Sequence, residues 1–375
     1  MKLLLFGDIC PTPDYLSLFD DRSGKALFGA VEPLIVGADQ VLCNLECPAT
    51  DTDCPIQKCG PSLRAAPKHI EMLKNSGFTA LAAANNHILD YGEAGLRDTL
   101  RACAEQSLPI FGAGNTLEDA GKPMVFTQPD GAAVTVFAFG EEEFNLAGRR
   151  SGGAVGFDPY TAYDRIREAK EHGRVIVLYH GGIEYYRLPS PLLKKKCEKM
   201  VDCGADLVLC QHSHIIGTVE KRGQGTIVYG QGNSVFGYRQ GSDTWNEGLL
   251  VQYDTVKNEI CFFLLKADKS GIRLAQEEER DRRMEQIMEL SAQISDEAFL
   301  ASQWDKFCQK DAALYYGLFY GRGRVVNKLN RILGGRLLNL LYSKKKKMIS
   351  MNLIRCDAHR EVMKTILERD FYGRN

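Results

Sequence analysis

Asp206-Leu207-Val208-Leu209-Cys210-Gln211-His212-Ser213-His214 is an apolar run that stops on two histidines. Four apolar residues in succession predict a short strand buried on both faces. In extended chain, residues i and i+2 point to the same side, so the two imidazoles are expected to converge. Neutral imidazole is the commonest protein metal ligand. The spacing suits one metal or two adjacent ones; two surface histidines in a loop would look the same. The neighbouring runs favour the metal.

Those runs end alike. Lys2–Phe6 closes on Gly7-Asp8, and Gln40–Cys43 on Asn44-Leu45-Glu46. Phe78–Ala84 closes on Asn85-Asn86-His87, and Val175–Tyr179 on His180-Gly181-Gly182. Thr226–Tyr229 closes on Gly230-Gln231-Gly232-Asn233. Helical segments lie between them, from Pro67 to a cap at Gly77, and over Gly92–Gln106, Pro159–Glu171 and Pro191–Cys203. Two pairs of runs read as hairpins: Met124–Thr127 with Val134–Phe139, and Gly248–Asp254 with Glu259–Ala267. This alternation predicts an α/β fold with much parallel sheet. Sites in such sheets lie beyond the carboxyl ends of the strands. Asp8, Glu46, Asn86, His180, His212 and His214 all fall there, as do His87 and Asn233, so a shared metal site is expected. Carboxylate, amide and imidazole without thiolate favour divalent Mn, Fe or Zn. The set exceeds what one tetrahedral zinc needs. Glu46 could bridge two ions, and a metal pair clamps the attacking and leaving oxygens of a hydrolytic displacement.

At 375 residues the chain suits one large domain with an appendage. A net charge of −1 argues against a nucleic-acid partner. The apolar start ends at Gly7-Asp8, too soon for a signal peptide, and no later run is long enough to span a bilayer. The expected location is therefore cytoplasmic. Of twelve cysteines, Cys10, Cys43, Cys210 and Cys261 read as buried hydrophobes. Cys47, Cys54 and Cys59 read as reduced loop thiols rather than a zinc knuckle. Composition shifts near residue 270, where the dense charge of Glu277–Arg283 opens a helical pattern. The division expected is 1–270 and a helical extension over 271–375.

The segments Gly7-Asp8, Asn44-Leu45-Glu46, Asn85-Asn86-His87-Ile88-Leu89-Asp90-Tyr91-Gly92, His180-Gly181-Gly182-Ile183-Glu184-Tyr185, Gln211-His212-Ser213-His214 and Tyr229-Gly230-Gln231-Gly232-Asn233 occur in the order found in CapA-type capsule synthesis proteins, linked with poly-γ-glutamate. The resemblance covers roughly residues 1–265, and the Asn85–Gly92 segment is its most specific part. It implies a divergent calcineurin-like metallophosphoesterase domain, a two-sheet β-sandwich flanked by helices. It matches Asp8 to the first metal-binding aspartate, Glu46 to the bridging carboxylate and Asn86 to the metal-bound amide. It matches His180, His212 and His214 to the remaining metal ligands and leaves His87 facing the substrate. Cys10 stands where the phosphoesterase pattern has a histidine. Glycine at 181 and 182 and Ser213 replace the usual Trp and Pro.

Glu184 is a further candidate acid or ligand, as readily read as a solvated loop residue. Lys58, Arg64 and Asn233 are candidate substrate-binding residues, the first two for an anionic group. Asp90 is expected to orient the His87 loop. His69, His172 and His359 read as surface histidines. The basic amphipathic stretch 322–347 suits either an anionic membrane face or docking on the main domain. The function expected is metal-dependent hydrolysis of a phosphoester, amide or γ-glutamyl bond in an anionic polymer or a phosphorylated small molecule. The alternative is a non-catalytic polymer- or membrane-binding scaffold.

Overall fold

Leu3 and Leu5 face one core while Leu4 and Phe6 face another, so the first strand is buried on both sides. The computed structural model describes residues 1–319 and 343–372, with only 328, 329, 332–334 and 336 between them. Lys2–Ile9 lies in the middle of the larger sheet. On one side it pairs in parallel with Gln40–Leu45, followed by Ala80–Ala82 and Ile110–Phe111. On the other it pairs antiparallel with Glu247–Asp254, which continues into Glu259–Asp268 and Gly271–Leu274. Asn233–Val235 adds a short parallel partner at its carboxyl end.

The second sheet runs in the order Val219–Arg222, Gly225–Val228, Leu207–Gln211, Gly173–His180, Ala133–Gly140 and Met124–Thr127. Its inner residues, among them Val136, Ile176 and Leu209, share one core with Leu3, Leu5, Leu42 and Ala80. The outer face of the first sheet packs Leu4, Phe6, Val41 and Leu81 under Leu27, Phe28, Ile70 and Leu73 from short helices. This is the two-sheet sandwich flanked by helices that the resemblance implies. Both expected hairpins form.

The larger sheet extends to Leu274, slightly past the boundary expected at 270. Among the described residues four helices follow, Glu277–Gln293, Glu297–Phe319, Lys344–Arg355 and Asp357–Tyr372. They dock on the sandwich. Ile287 and Leu300 join the same continuous buried cluster as the second sheet and its helices. Trp304, Tyr315, Leu353 and Val362 make a small core of their own, against which Ile183 and Tyr186 pack. Glu361 accepts from Leu192 N at 2.7 Å, and Lys196 pairs with Asp357. Most of the basic stretch 322–347 lies outside the described residues. No helix among the described residues is long and apolar enough to cross a membrane.

Some single-residue expectations fail. Cys261 is exposed, on a strand whose first half alternates outward. His69 is buried, because its ring packs on Phe19 and bonds Asp20. His359 is half-buried beside Tyr315, 2.7 Å from its hydroxyl.

Candidate metal centre

The parallel strands of both sheets bring their carboxyl ends to one place. Asp8 lies beside Asn44 and Asn233 in register. His180 ends its strand beside Gln211. His212 and His214 follow, but not in extended chain: their φ angles are +85° and +56°. The pair converges because the backbone curls through the left-handed region, which is uncommon for residues other than glycine. The curl is tied down where His212 N donates to Asp8 Oδ2 at 3.0 Å.

Glu46 is the centre of the arrangement. His180 Nε2 lies 3.5 Å from its Oε1 and 3.0 Å from Asn86 Oδ1. Glu46, His180 and His212 form one group whose ligand atoms lie within 4.8 Å of one another; Asp8, Glu46 and His214 form a second. Both Glu46 oxygens and His212 Nδ1 are buried without a hydrogen-bond partner. A buried carboxylate left in that condition is costly, and a cation offsets the cost. The orphaned atoms and the oxygen–nitrogen donor set therefore fit a divalent transition metal. Cys10 belongs to neither group among the described residues; its thiol lies 4.0 Å from the Pro11 carbonyl.

Burial, and then the Glu46 charge, push the Asp8 carboxyl up to about 7. Burial also drives Glu46 well above the usual carboxylate range. It drives His212 far down and His214 to about 3, so both imidazoles are neutral and ready to ligate. A raised acid stabilises the metal-free fold below its unfolded pKa of 3.8, and that contribution is lost as pH rises through about 7. Metal uptake is then expected to release protons and to strengthen between about pH 6 and 8. Calorimetry in two buffers of different ionisation enthalpy checks this; identical apparent enthalpies would contradict it.

Above the centre lies a cavity of about 510 Å³ whose lining includes His87, Glu184, Tyr185, His214, Arg239 and Trp245. His87 Nδ1 bonds Asp90 Oδ2 at 2.7 Å, and Asp90 also accepts from Leu63 N at 2.6 Å. Asp90 thus orients the His87 loop, as expected. Glu184 sits exposed at the cavity rim.

The three expected substrate-binding residues each have partners within the chain. Lys58 is an ion-pair partner of Asp90, with its side chain 4% exposed, and its Nζ lies 3.0 Å from His87 Nδ1. Arg64 points along the surface to Asp53 at 2.6 Å and over Tyr91, outside the cavity lining. Asn233 Oδ1 lies 2.9 Å from His214 Nδ1, and its amide donates to the Trp245 carbonyl, so it holds His214 in place.

Sequence reasoning passed over Asn44. Its amide nitrogen reaches Asp8 Oδ1 at 2.7 Å and His180 Nδ1 at 3.1 Å, and its oxygen accepts from Asn85 at 3.0 Å. The available signal was its place two residues before Glu46, on the same face of the strand. Tyr185, Arg239 and Trp245 carried no comparable signal.

The family model described as bacterial capsule synthesis protein PGA_cap matches residues 2–238. The chain is 31% identical over 261 residues to the PGA biosynthesis protein CapA of Bacillus subtilis (strain 168), with 67% of each chain covered. It is 30% identical over 263 residues to the capsule biosynthesis protein CapA of Bacillus anthracis, covering 68% of this chain and 63% of that one. A solved structure of a hypothetical protein from Thermus thermophilus aligns with a TM-score of 0.46 and 13% identity, over 72% of this chain and 100% of the other.

Proposed function

The chain belongs to the bacterial capsule synthesis protein family, and from that premise we propose that it is a metal-dependent hydrolase acting in capsule or poly-γ-glutamate metabolism. The observation that carries this reading is Glu46. Its buried, unpartnered carboxylate is shared by two ligand groups directly beneath an open cavity.

Asn86, His180, His212 and Glu46 would hold one ion, and Asp8, His214 and Glu46 a second. Two divalent ions of Mn, Fe or Zn supply Lewis acidity and an activated water when bound. The chain's own groups do the rest. Asn44 fixes the Asp8 carboxylate and the His180 ring. With its Nδ1–H assigned to the Asp90 carboxylate, the nearer of its two neighbours at 2.7 Å against 3.0 Å for Lys58 Nζ, His87 keeps Nε2 to take up a proton and pass it to the leaving group, the division of labour familiar from His–Asp pairs. Glu184 at the rim is the second acid in reach of a substrate. The substrate proposed is an anionic polymer or a phosphorylated small molecule.

Elemental analysis of the purified protein, followed by assays on phosphoester and γ-glutamyl amide panels, tests the reading. Bound Mn, Fe or Zn with turnover on one panel is expected. Bound metal without turnover on either would favour a polymer-binding scaffold. Absence of metal, with no uptake of added Mn or Zn, would remove the hydrolase.

A further inference from the structure

The cavity has two acids, Asp14 and Glu184, and Arg239 is the only Lys or Arg among its described lining residues. Asp14 is already engaged, accepting from Thr12 Oγ1 and from Tyr238 N, both at 2.7 Å. Arg239 is held by its backbone: its N–H donates to Asn246 Oδ1 at 2.9 Å, and its carbonyl accepts from Asn246 Nδ2 at 2.7 Å. Its guanidinium lies 3.1 Å from the centre of the Trp245 ring. Trp245 in turn is buried and packs on His214, with ring centres 5.0 Å apart.

Tyr185 completes the ledge. Its ring stacks on Trp245 at 6.1 Å, and its hydroxyl accepts from Arg239 Nη1 at 3.3 Å. Its φ is +61°, a strained value for an aromatic residue, yet the side chain is 53% exposed. Strain of this kind persists where the surroundings impose it and clusters at binding sites. Here the Tyr185 N–H is pinned to the Ser213 carbonyl at 2.9 Å, between the two metal-centre histidines. A guanidinium stacked by its face keeps its edge donors for an oxyanion, and only one is taken by Tyr185.

We propose that Arg239, on the ledge made by Trp245 and Tyr185, is the anion subsite of this cavity and takes a carboxylate or phosphate group of the substrate. The proposal rests on the hydrolase reading for where the scissile bond lies, but anion binding itself can be read without turnover.

Trp245 is its own reporter, because the chain has only two tryptophans. The second, Trp304, lies in the C-terminal helical core. In full-length Trp304→Phe protein, loaded with Mn or stripped of metal, Trp245 fluorescence is titrated with glutarate, inorganic phosphate and neutral glutaramide. A saturable change with glutarate or phosphate and none with glutaramide is expected. The tighter of the two anions identifies the group recognised. Arg239→Gln should weaken that binding about 10-fold or more with metal content unchanged, and Arg239→Lys should recover part of it. Equal binding by Arg239→Gln, a glutaramide response matching glutarate, or no saturable change with either anion would each overturn the subsite. Arg239-dependent binding in a protein with no turnover would sink the hydrolase and leave the subsite standing.

Discussion

His87→Ala is expected to keep its full metal content and lose about 10²–10⁴-fold in turnover, the usual span for a general acid–base group. His87 lies outside both ligand groups, and its Nδ1 faces Asp90 and Lys58 rather than the centre. Burial lowers its pKa while Asp90 raises it. The ring is therefore neutral at rest and can carry a proton in transit. His212→Ala is the contrasting variant. It removes a member of a ligand group, so metal and turnover should fall together. Metal content by mass spectrometry, thermal stability and kcat separate the two cases. Loss of metal in His87→Ala, or near-normal turnover, would reduce His87 to a brace for the Asp90 loop.

Glu46→Gln should move function and stability in opposite directions. Glu46 belongs to both ligand groups, so the variant is expected to lose metal and all measurable turnover. The metal-free fold should nonetheless gain about 1–3 kcal/mol at neutral pH, because a buried, unpartnered carboxylate gives way to a neutral amide. The sign follows from the raised pKa. The carboxyl is tolerated below its unfolded value of 4.5 and becomes a burden as pH rises. The gain should therefore vanish near about pH 4. Denaturation of metal-stripped protein at both pH values reads it directly. A destabilised Glu46→Gln protein at pH 7 would mean that the carboxylate is satisfied in the metal-free state.

The carboxyl ends of the strands were legible because apolar runs are easy to see and each stops at a polar residue. That is enough to bring Asp8, Glu46, Asn86, His180, His212 and His214 together in expectation, and the fold does bring them together. Extended chain would have aimed His212 and His214 alike, but left-handed backbone does so here, and nothing in a non-glycine sequence announces it. Lys58 and Arg64 pair with Asp90 and Asp53, partners that a long loop without periodicity does not announce. The cation that reaches the cavity, Arg239, lies far along the chain and owes its place to Asn246 and Trp245. The charge density of Glu277–Arg283 marked the start of the C-terminal helices. Their docking on Ile183 and Tyr186 is a long-range contact that no local pattern encodes.

The strand bearing Asp8 is synthesised early and completed late. Its neighbours include Asn233–Val235 and Glu247–Asp254, and the His212 amide that binds Asp8 lies 204 residues downstream. At about 5–20 residues per second, a ribosome needs about 10–40 s to cover that distance. Until Val251 and Tyr253 follow, Leu3 and Leu5 have an unpaired edge, the condition that invites chaperones or aggregation. Neither ligand group exists before His212 and His214 leave the exit tunnel. On the metal-binding reading proposed above, capture of the ion is then a late event in biogenesis.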